Sequence, residues 1–291
     1  MTTLEPAVLV VGSLHHDIMI QADHLPRRDE TAVGSHWYPK FGGKGGNQAV
    51  AAARTGALTR MLGAVGDDDF GRFLLAGLDR AGVERRSVAV LSNLGSGMSV
   101  AIVDSTGDYA ATIVSGANFA IDAGALRDDE LWHGVGVLVL QNEVPEAINL
   151  AAALQAHGRD VTVVLNAAPT RKLSSQLSSL IDVLIVNSVE AEMMGTPPVN
   201  DLESAGLAAE VLARRFVDVV VTAGAAGLAA AGRSGSLSIP ARKVIAVSSH
   251  GAGDCFVGTL AAALAQKAKL ADACAAASDA AADLVAGKHL G

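Results

Sequence analysis

The chain has 291 residues, half of them hydrophobic, and a formal net charge of −8; its pI is about 5.4 and its mean hydropathy +0.35. That length suits one large α/β domain with a small appendage and a substantial core. The acid excess offers no basic surface to nucleic acid or anionic lipid. Apolar stretches such as Val219 to Gly232 are too short and glycine-rich to cross a bilayer. The opening Met1-Thr2-Thr3-Leu4-Glu5-Pro6 lacks the basic and apolar regions of a secretory signal, so a cytoplasmic location is expected. The two cysteines, Cys255 and Cys274, fall in apolar helical stretches and read as buried thiols, not a disulfide framework.

In chain order, strand-like runs occur at Ala7–Gly12, Leu58–Val65, Val135–Gln141, Val161–Asn166, Val183–Asn187, Val217–Thr222 and Val244–Val247. Between them lie helical candidates at Asn47–Thr55, Phe70–Ala81, Val144–His157, Leu202–Arg214 and Cys255–Lys267. Strands that are apolar throughout and separated by crossover helices imply a mainly parallel sheet with helices on both faces. Two regions break the rhythm. Leu14–Lys40 has few helix-formers, and Gly97–Val114 alternates around Ser105-Thr106-Gly107-Asp108, a hairpin-turn sequence. Both read as antiparallel pieces outside the main sheet.

Two glycine-rich turns open helices. The first is Phe41-Gly42-Gly43-Lys44-Gly45-Gly46-Asn47-Gln48, ahead of an alanine-rich run that ends at Gly56. It is not a Walker A loop, because Tyr38 stands where that motif needs its first glycine and Gly45 where it needs Ser or Thr. Lys44, Asn47 and Gln48 would project from this turn, and such polar groups suit the hydroxyls of a sugar-like ligand. The second turn is Gly251-Ala252-Gly253-Asp254. Unpartnered N–H groups at a helix start, reachable because glycine has no side chain, form an anion cradle. A carboxylate placed there has either a capping role or a chemical one, such as taking a proton from a hydroxyl that attacks bound phosphate.

Together these turns resemble the two signatures of the ribokinase-like, or PfkB, carbohydrate kinase family. Val10-Val11-Gly12-Ser13-Leu14-His15-His16-Asp17 is similar to the family's opening strand and sugar-contacting turn. Gln141-Asn142-Glu143-Val144-Pro145 is similar to its mid-chain strand end, and Asn187-Ser188-Val189-Glu190 to its Asn-x-x-Glu motif. Thr222-Ala223-Gly224-Ala225-Ala226-Gly227 is similar to its nucleotide-side turn. The segments fall in the family's order across nearly the whole chain.

The resemblance implies an ATP-dependent carbohydrate kinase with one α/β domain (1–13, 41–95 and 116–291) and a β lid over the sugar site (14–40 and 96–115). Asp254 would be the catalytic base, with Gly251, Ala252 and Gly253 as the anion hole. His15, Asp17, Gly43, Lys44, Asn47 and Glu143 would contact the sugar. Asn187, Thr222, Gly224 and Gly227 would bind the nucleotide, and Glu190 would hold Mg²⁺ through water. A homodimer through the lid fits the same pattern. Taken alone, Asn187 and Glu190 also suit a helix cap, Glu143 a helix N-terminal acid, and Asp17 a turn.

The chain departs from the family in three places. His15 and His16 stand where an Asn is usual after Leu14, which points to a pocket reshaped relative to that for ribose. Ser248-Ser249-His250 replaces the Asp and Thr that precede the second turn and help hold a monovalent cation, and Lys288-His289-Leu290-Gly291 falls near where the family's last cation-binding loop begins. Weak or absent K⁺ activation is therefore expected. Alternatives are a nucleoside kinase of the same family and a sugar-binding relative without catalysis. A dinucleotide oxidoreductase is disfavoured because Phe256 stands at the third glycine of its fingerprint.

Overall fold

The computed structural model describes residues 6–106 and 109–288. Met1–Glu5, the hairpin-turn residues Gly107 and Asp108, and His289–Gly291 lie outside the described residues.

The main sheet is built on β1 (Ala7–Val11), whose five residues are all fully buried. Beside it lie β4 (Leu58–Gly66) and β5 (Glu84–Leu91) in one direction. In the other come β8 (Val135–Gln141), β9 (Thr162–Asn166), β10 (Val183–Asn187) and β11 (Asp218–Thr222), all parallel. Two antiparallel strands, β12 (Gly227–Gly232) and β13 (Leu237–Pro240), close that edge to give nine strands.

Alternation along each strand sends side chains to opposite faces. Leu9 and Val11 pack with α4 (Glu146–His157) and α7 (Leu202–Leu212). Val8 and Val10 pack with α1 (Lys44–Arg54), α2 (Asp69–Arg80), α8 (Ala252–Ala265) and α9 (Leu270–Val285). Each fully buried Leu or Val contributes roughly 1.5–3 kcal/mol, so the two-layered core holds the strand ends, and the turns leaving them, in place.

A second sheet joins β2 (His15–Ala22), β3 (Gly34–Gly42), β6 (Met98–Val103) and β7 (Tyr109–Val114) in the order β3-β2-β6-β7. Its β2–β3 and β6–β7 pairs are antiparallel as expected, while β2 and β6 run parallel. The two halves are pinned by Asn118, which accepts from Leu14 N–H at 2.9 Å and donates to Leu14 C=O at 2.8 Å.

The run Val244–Val247 corrects the sequence reading. It is not a strand: Ile245 is 89% and Val247 73% exposed. The sheet edge is taken by the β12–β13 hairpin, so this four-residue run has no ladder to join. Instead Val247 N–H donates to Val285 C=O at the end of α9, at 2.8 Å.

Candidate active site

The parallel strands present their carboxyl ends to one side, and the polar segments leave from there. β1 runs into Ser13, β8 into Glu143, β9 ends at Asn166, β10 at Asn187 and β11 at Thr222. The two glycine turns start α1 and α8. Gly43 and Gly251, the residues before these helices, have φ of 85° and 84°, a left-handed backbone that glycine adopts without strain. A Cβ on Gly45 would lie 2.6 Å from Ser13 N, so only glycine lets α1 approach the turn after β1 so closely.

These approaches create one bonded network. Glu143 Oε2 accepts from Ser13 Oγ at 2.6 Å and from Lys44 N–H at 2.8 Å, and His15 Nδ1 lies 3.7 Å from the same oxygen. Across the cleft, Asp254 Oδ1 accepts from Gln48 Nε2 at 2.9 Å, and Oδ2 from Asn47 Nδ2 at 3.2 Å. Gln48 is fully buried and also donates to Asn166 Oδ1 at 3.1 Å. The two glycine turns, about two hundred residues apart in sequence, therefore face each other.

Burial pushes the Asp254 carboxyl above the ordinary aspartate range. Lys44, Gln48 and Asn47 pull it back, and Glu143 pushes it further up. Burial also raises Glu190, against the Asn187 N–H and Lys44, with Asp254 adding to the rise.

A cavity of about 230 Å³ lies beside Asp254, lined by Lys44, Asn187, Glu190, Thr222, Gly251 and Gly253 among others. Its floor is the α8 N-terminus. A Cβ on Gly251 or Gly253 would meet nothing within 4 Å, so both face open space. Ala252 differs, since its N–H already donates to Ser249 C=O at 3.2 Å. Asn187 and Glu190 form a reciprocal cap: Asn187 Oδ1 accepts from Glu190 N–H at 2.8 Å, and Glu190 Oε2 accepts from Asn187 N–H at 2.9 Å.

Asp17 sits on the second sheet, where its Oδ1 accepts from Ser99 Oγ at 2.5 Å and its strand partner is Lys40. His16 turns away from Glu143 and stacks on Phe70 of α2, with ring centroids 4.1 Å apart. Gly224 and Gly227 do not line the cavity. Gly227 has φ 117° where β12 begins, and a Cβ there would lie 2.1 Å from Ile239 C=O, so the turn itself demands glycine.

Sequence reasoning left three contributors without a role of their own, Asn166, Ser13 and Ser99, and read Gln48 as a ligand-facing group, not as a partner of Asp254. A polar residue ending an apolar strand was the available signal for Asn166, and Gln48 was visible only as part of its turn.

A model of the pfkB family of carbohydrate kinases matches residues 6–290. The chain belongs to this family. Among curated relatives, ribokinase of Bacillus subtilis is 34% identical, with 89% of this chain and 86% of the relative covered. Ribokinase of Haemophilus influenzae is 32% identical, covering 91% and 87%. The solved structure of Arabidopsis thaliana ribokinase complexed with ribose and ATP superposes with a TM-score of 0.89 at 27% identity, over 97% of this chain and 93% of that one. The protein is thus a ribokinase-like sugar kinase, a phosphotransferase on the ribokinase fold. Among the described residues, no helix is long and apolar enough to cross a membrane.

Proposed function

We propose that this kinase transfers the γ-phosphoryl group of ATP to a hydroxyl of a free sugar, with Asp254 accepting the hydroxyl proton. The observation that carries this reading is the hydrogen bonding of Asp254 by Asn47 and Gln48. It places a carboxylate between the polar sugar-side turn and the open amides of the α8 N-terminus. The sugar lies under the lid, held by Asp17, Asn47 and Glu143 with the Gly43–Lys44 turn beneath it and His15 at its edge. The polyphosphate end of the nucleotide enters the 230 Å³ cavity, flanked by Lys44, Asn187 and Thr222, and the nucleoside extends past Gly224.

In-line transfer needs little covalent chemistry from the protein, so positioning and charge neutralisation dominate. Ionised Asp254 orients the attacking oxygen and takes its proton. The N–H groups of Gly251, Gly253 and Asp254 face the equatorial oxygens of the moving phosphoryl, where charge develops. Lys44 neutralises the oxygens on the nucleotide side.

Mg²⁺ suits this donor set. Glu190 engages one carboxylate oxygen in its cap, and its other oxygen would reach the ion through water, consistent with a metal that keeps several waters. The ion would neutralise phosphate charge.

A free sugar is favoured over a nucleoside because the relatives at 30% identity or more cited above are ribokinases. Nucleoside kinase neighbours, such as that of Burkholderia thailandensis at 21% identity, share the fold alone. Segments 14–40 and 96–115 form the lid, and 1–13, 41–95 and 116–291 the body. A lid-to-lid homodimer would cover exposed Trp37 and Ile113, and the working location is the cytoplasm.

Asp254→Asn tests the mechanism: turnover should fall about 10²- to 10⁴-fold while ATP binding is retained. Near-normal turnover would remove Asp254 from its role. A coupled ADP-release screen over aldoses, ketoses and nucleosides tests the acceptor; preference for a nucleoside would overturn the free-sugar reading.

A further inference from the structure

Asn118 is fully buried and gives both ends of its carboxamide to one residue, 104 positions away in sequence. That residue, Leu14, is also fully buried and falls between the end of β1 at Val11 and the start of β2 at His15. Its backbone belongs to neither strand, and Asn118 supplies the acceptor and the donor that a neighbouring strand would have supplied.

The residues on either side of Leu14 both face Glu143. Ser13 Oγ donates to Glu143 Oε2 at 2.6 Å, and His15 Nδ1 lies 3.7 Å from the same oxygen. On one side the turn is tied to α1, since Ser13 C=O accepts from Gly46 N–H at 2.8 Å. On the other side it is held by Asn118.

Asn118 is itself anchored to the main sheet. It lies in the short 3₁₀ helix Gly116–Ala120, which follows β7. Within it Ala117 N–H donates to Gly95 C=O at 2.9 Å. The next residue, Ser96, bonds Asp68 at the start of α2 through its N–H at 2.8 Å and its Oγ at 2.7 Å. Ser96 Oγ also accepts from Gly66 N–H, at the end of β4, at 2.9 Å. A Cβ on Gly97 would lie 2.2 Å from Asn118 Nδ2, 2.6 Å from Leu14 C=O and 2.6 Å from His15 Cδ2, so these groups close on one glycine. Hydrogen bonds and close contacts thus run from α2 and β4, through Asn118, to the turn that carries Ser13 and His15.

We propose that Asn118 is a positioning residue for the acceptor: it holds Ser13 and His15 against Glu143 without touching the acceptor. Without its carboxamide, Leu14 N–H and C=O are left buried and unpaired, a state that the turn relieves by shifting. A shift of Leu14 moves Ser13 and His15 together. The nucleotide side is spared, because Asn187, Glu190 and Thr222 stand on or after β10 and β11, which Asn118 does not bond. The inference rests on the reading above that the acceptor lies against His15 and Glu143.

The test compares Asn118→Ala with the wild type in the coupled ADP-release assay, varying ATP and the best acceptor from the screen described above. Acceptor kcat/KM should fall about 10- to 100-fold through a raised acceptor KM, while KM for ATP stays within about twofold of wild type. A residue serving stability alone would lower the melting temperature and the active fraction and leave both KM values in place. Asn118→Ser, with one hydroxyl too short to hold both Leu14 groups, serves if the alanine variant melts early. Glu143→Ala separates this inference from the reading beneath it. A raised acceptor KM in Glu143→Ala with wild-type values in the Asn118 variants would overturn the positioning role alone. Wild-type acceptor KM in every variant would overturn both. Equal rises in the two KM values of the Asn118 variants would also overturn it, since the disturbance would then not be confined to the acceptor turn.

Discussion

Gly258 lies one turn after Asp254 on α8, where that helix crosses α1. A Cβ added there would sit 2.4 Å from Gln48 C=O, 2.6 Å from Ala51 Cβ and 2.8 Å from Ala52 N, almost all of it backbone. Ordinary contact begins near 3.4 Å, so Gly258→Ala forces the two helices apart by about 1 Å, a form of overpacking that costs roughly 1–3 kcal/mol. The same crossing sets the 2.9 and 3.2 Å bonds from Gln48 and Asn47 to Asp254. Separation by that amount carries both beyond hydrogen-bond reach. A misplacement of about 1 Å at a catalytic group can cost on the order of 10² in rate. Turnover in a coupled ADP-release assay should therefore drop about 10- to 100-fold, with a lowered melting temperature. Gly206→Ala is the control: on α7 its Cβ would meet only Ala229 at 4.0 Å, so stability should rise by about 0.5–1 kcal/mol with turnover unchanged. Wild-type turnover in Gly258→Ala would refute the claim that this helix crossing sets the catalytic geometry.

Gln48→Leu removes a donor that favours ionised Asp254. The acid limb of kcat/KM should move to higher pH, and an unmoved limb would detach Gln48 from the catalytic group. Burial, and to a lesser degree Asp218, pushes the Cys274 thiol from 9.0 up to about 12. The folded state then holds a proton that the unfolded chain releases. Stability should fall as pH rises from 9.0 toward about 12, by up to about 1.4 kcal/mol per pH unit. In urea melts at alkaline pH, Cys274→Ala should show a shallower fall; an identical slope would contradict this. Replacing a bulky inert cation by K⁺ should raise turnover less than tenfold, since Ser248 supplies no charge and its Oγ already accepts from His250 N–H; a larger rise would contradict it.

Much of the site was readable because local chemistry is locally encoded. The glycine turns at Gly43 and Gly251 announced helix starts, and both helices begin there. β1, β8, β10 and β11 were visible as short runs of Val, Ile and Leu because strands buried on both faces carry no polar alternation. β12 was missed for the opposite reason. Its Gly-Leu-Ala-Ala-Ala-Gly sequence has weak strand propensity, and it is extended because β11 and β13 flank it while α7 leaves room for small side chains only. Val244–Val247 had the right residues and no partner, and so became an exposed connection.

What the amino-acid sequence determined by itself was the family and the alternation of strands with crossover helices, and it singled out Asp254 as the proposed catalytic carboxylate, since each is written in contiguous residues. What the tertiary structure decided was which polar groups meet: Gln48 with both Asp254 and Asn166, and Glu143 with Ser13 and the Lys44 amide. The physical reason is that a hydrogen bond is fixed to within tenths of an ångström by the packing of whole helices on the sheet. No local run of side chains carries that distance.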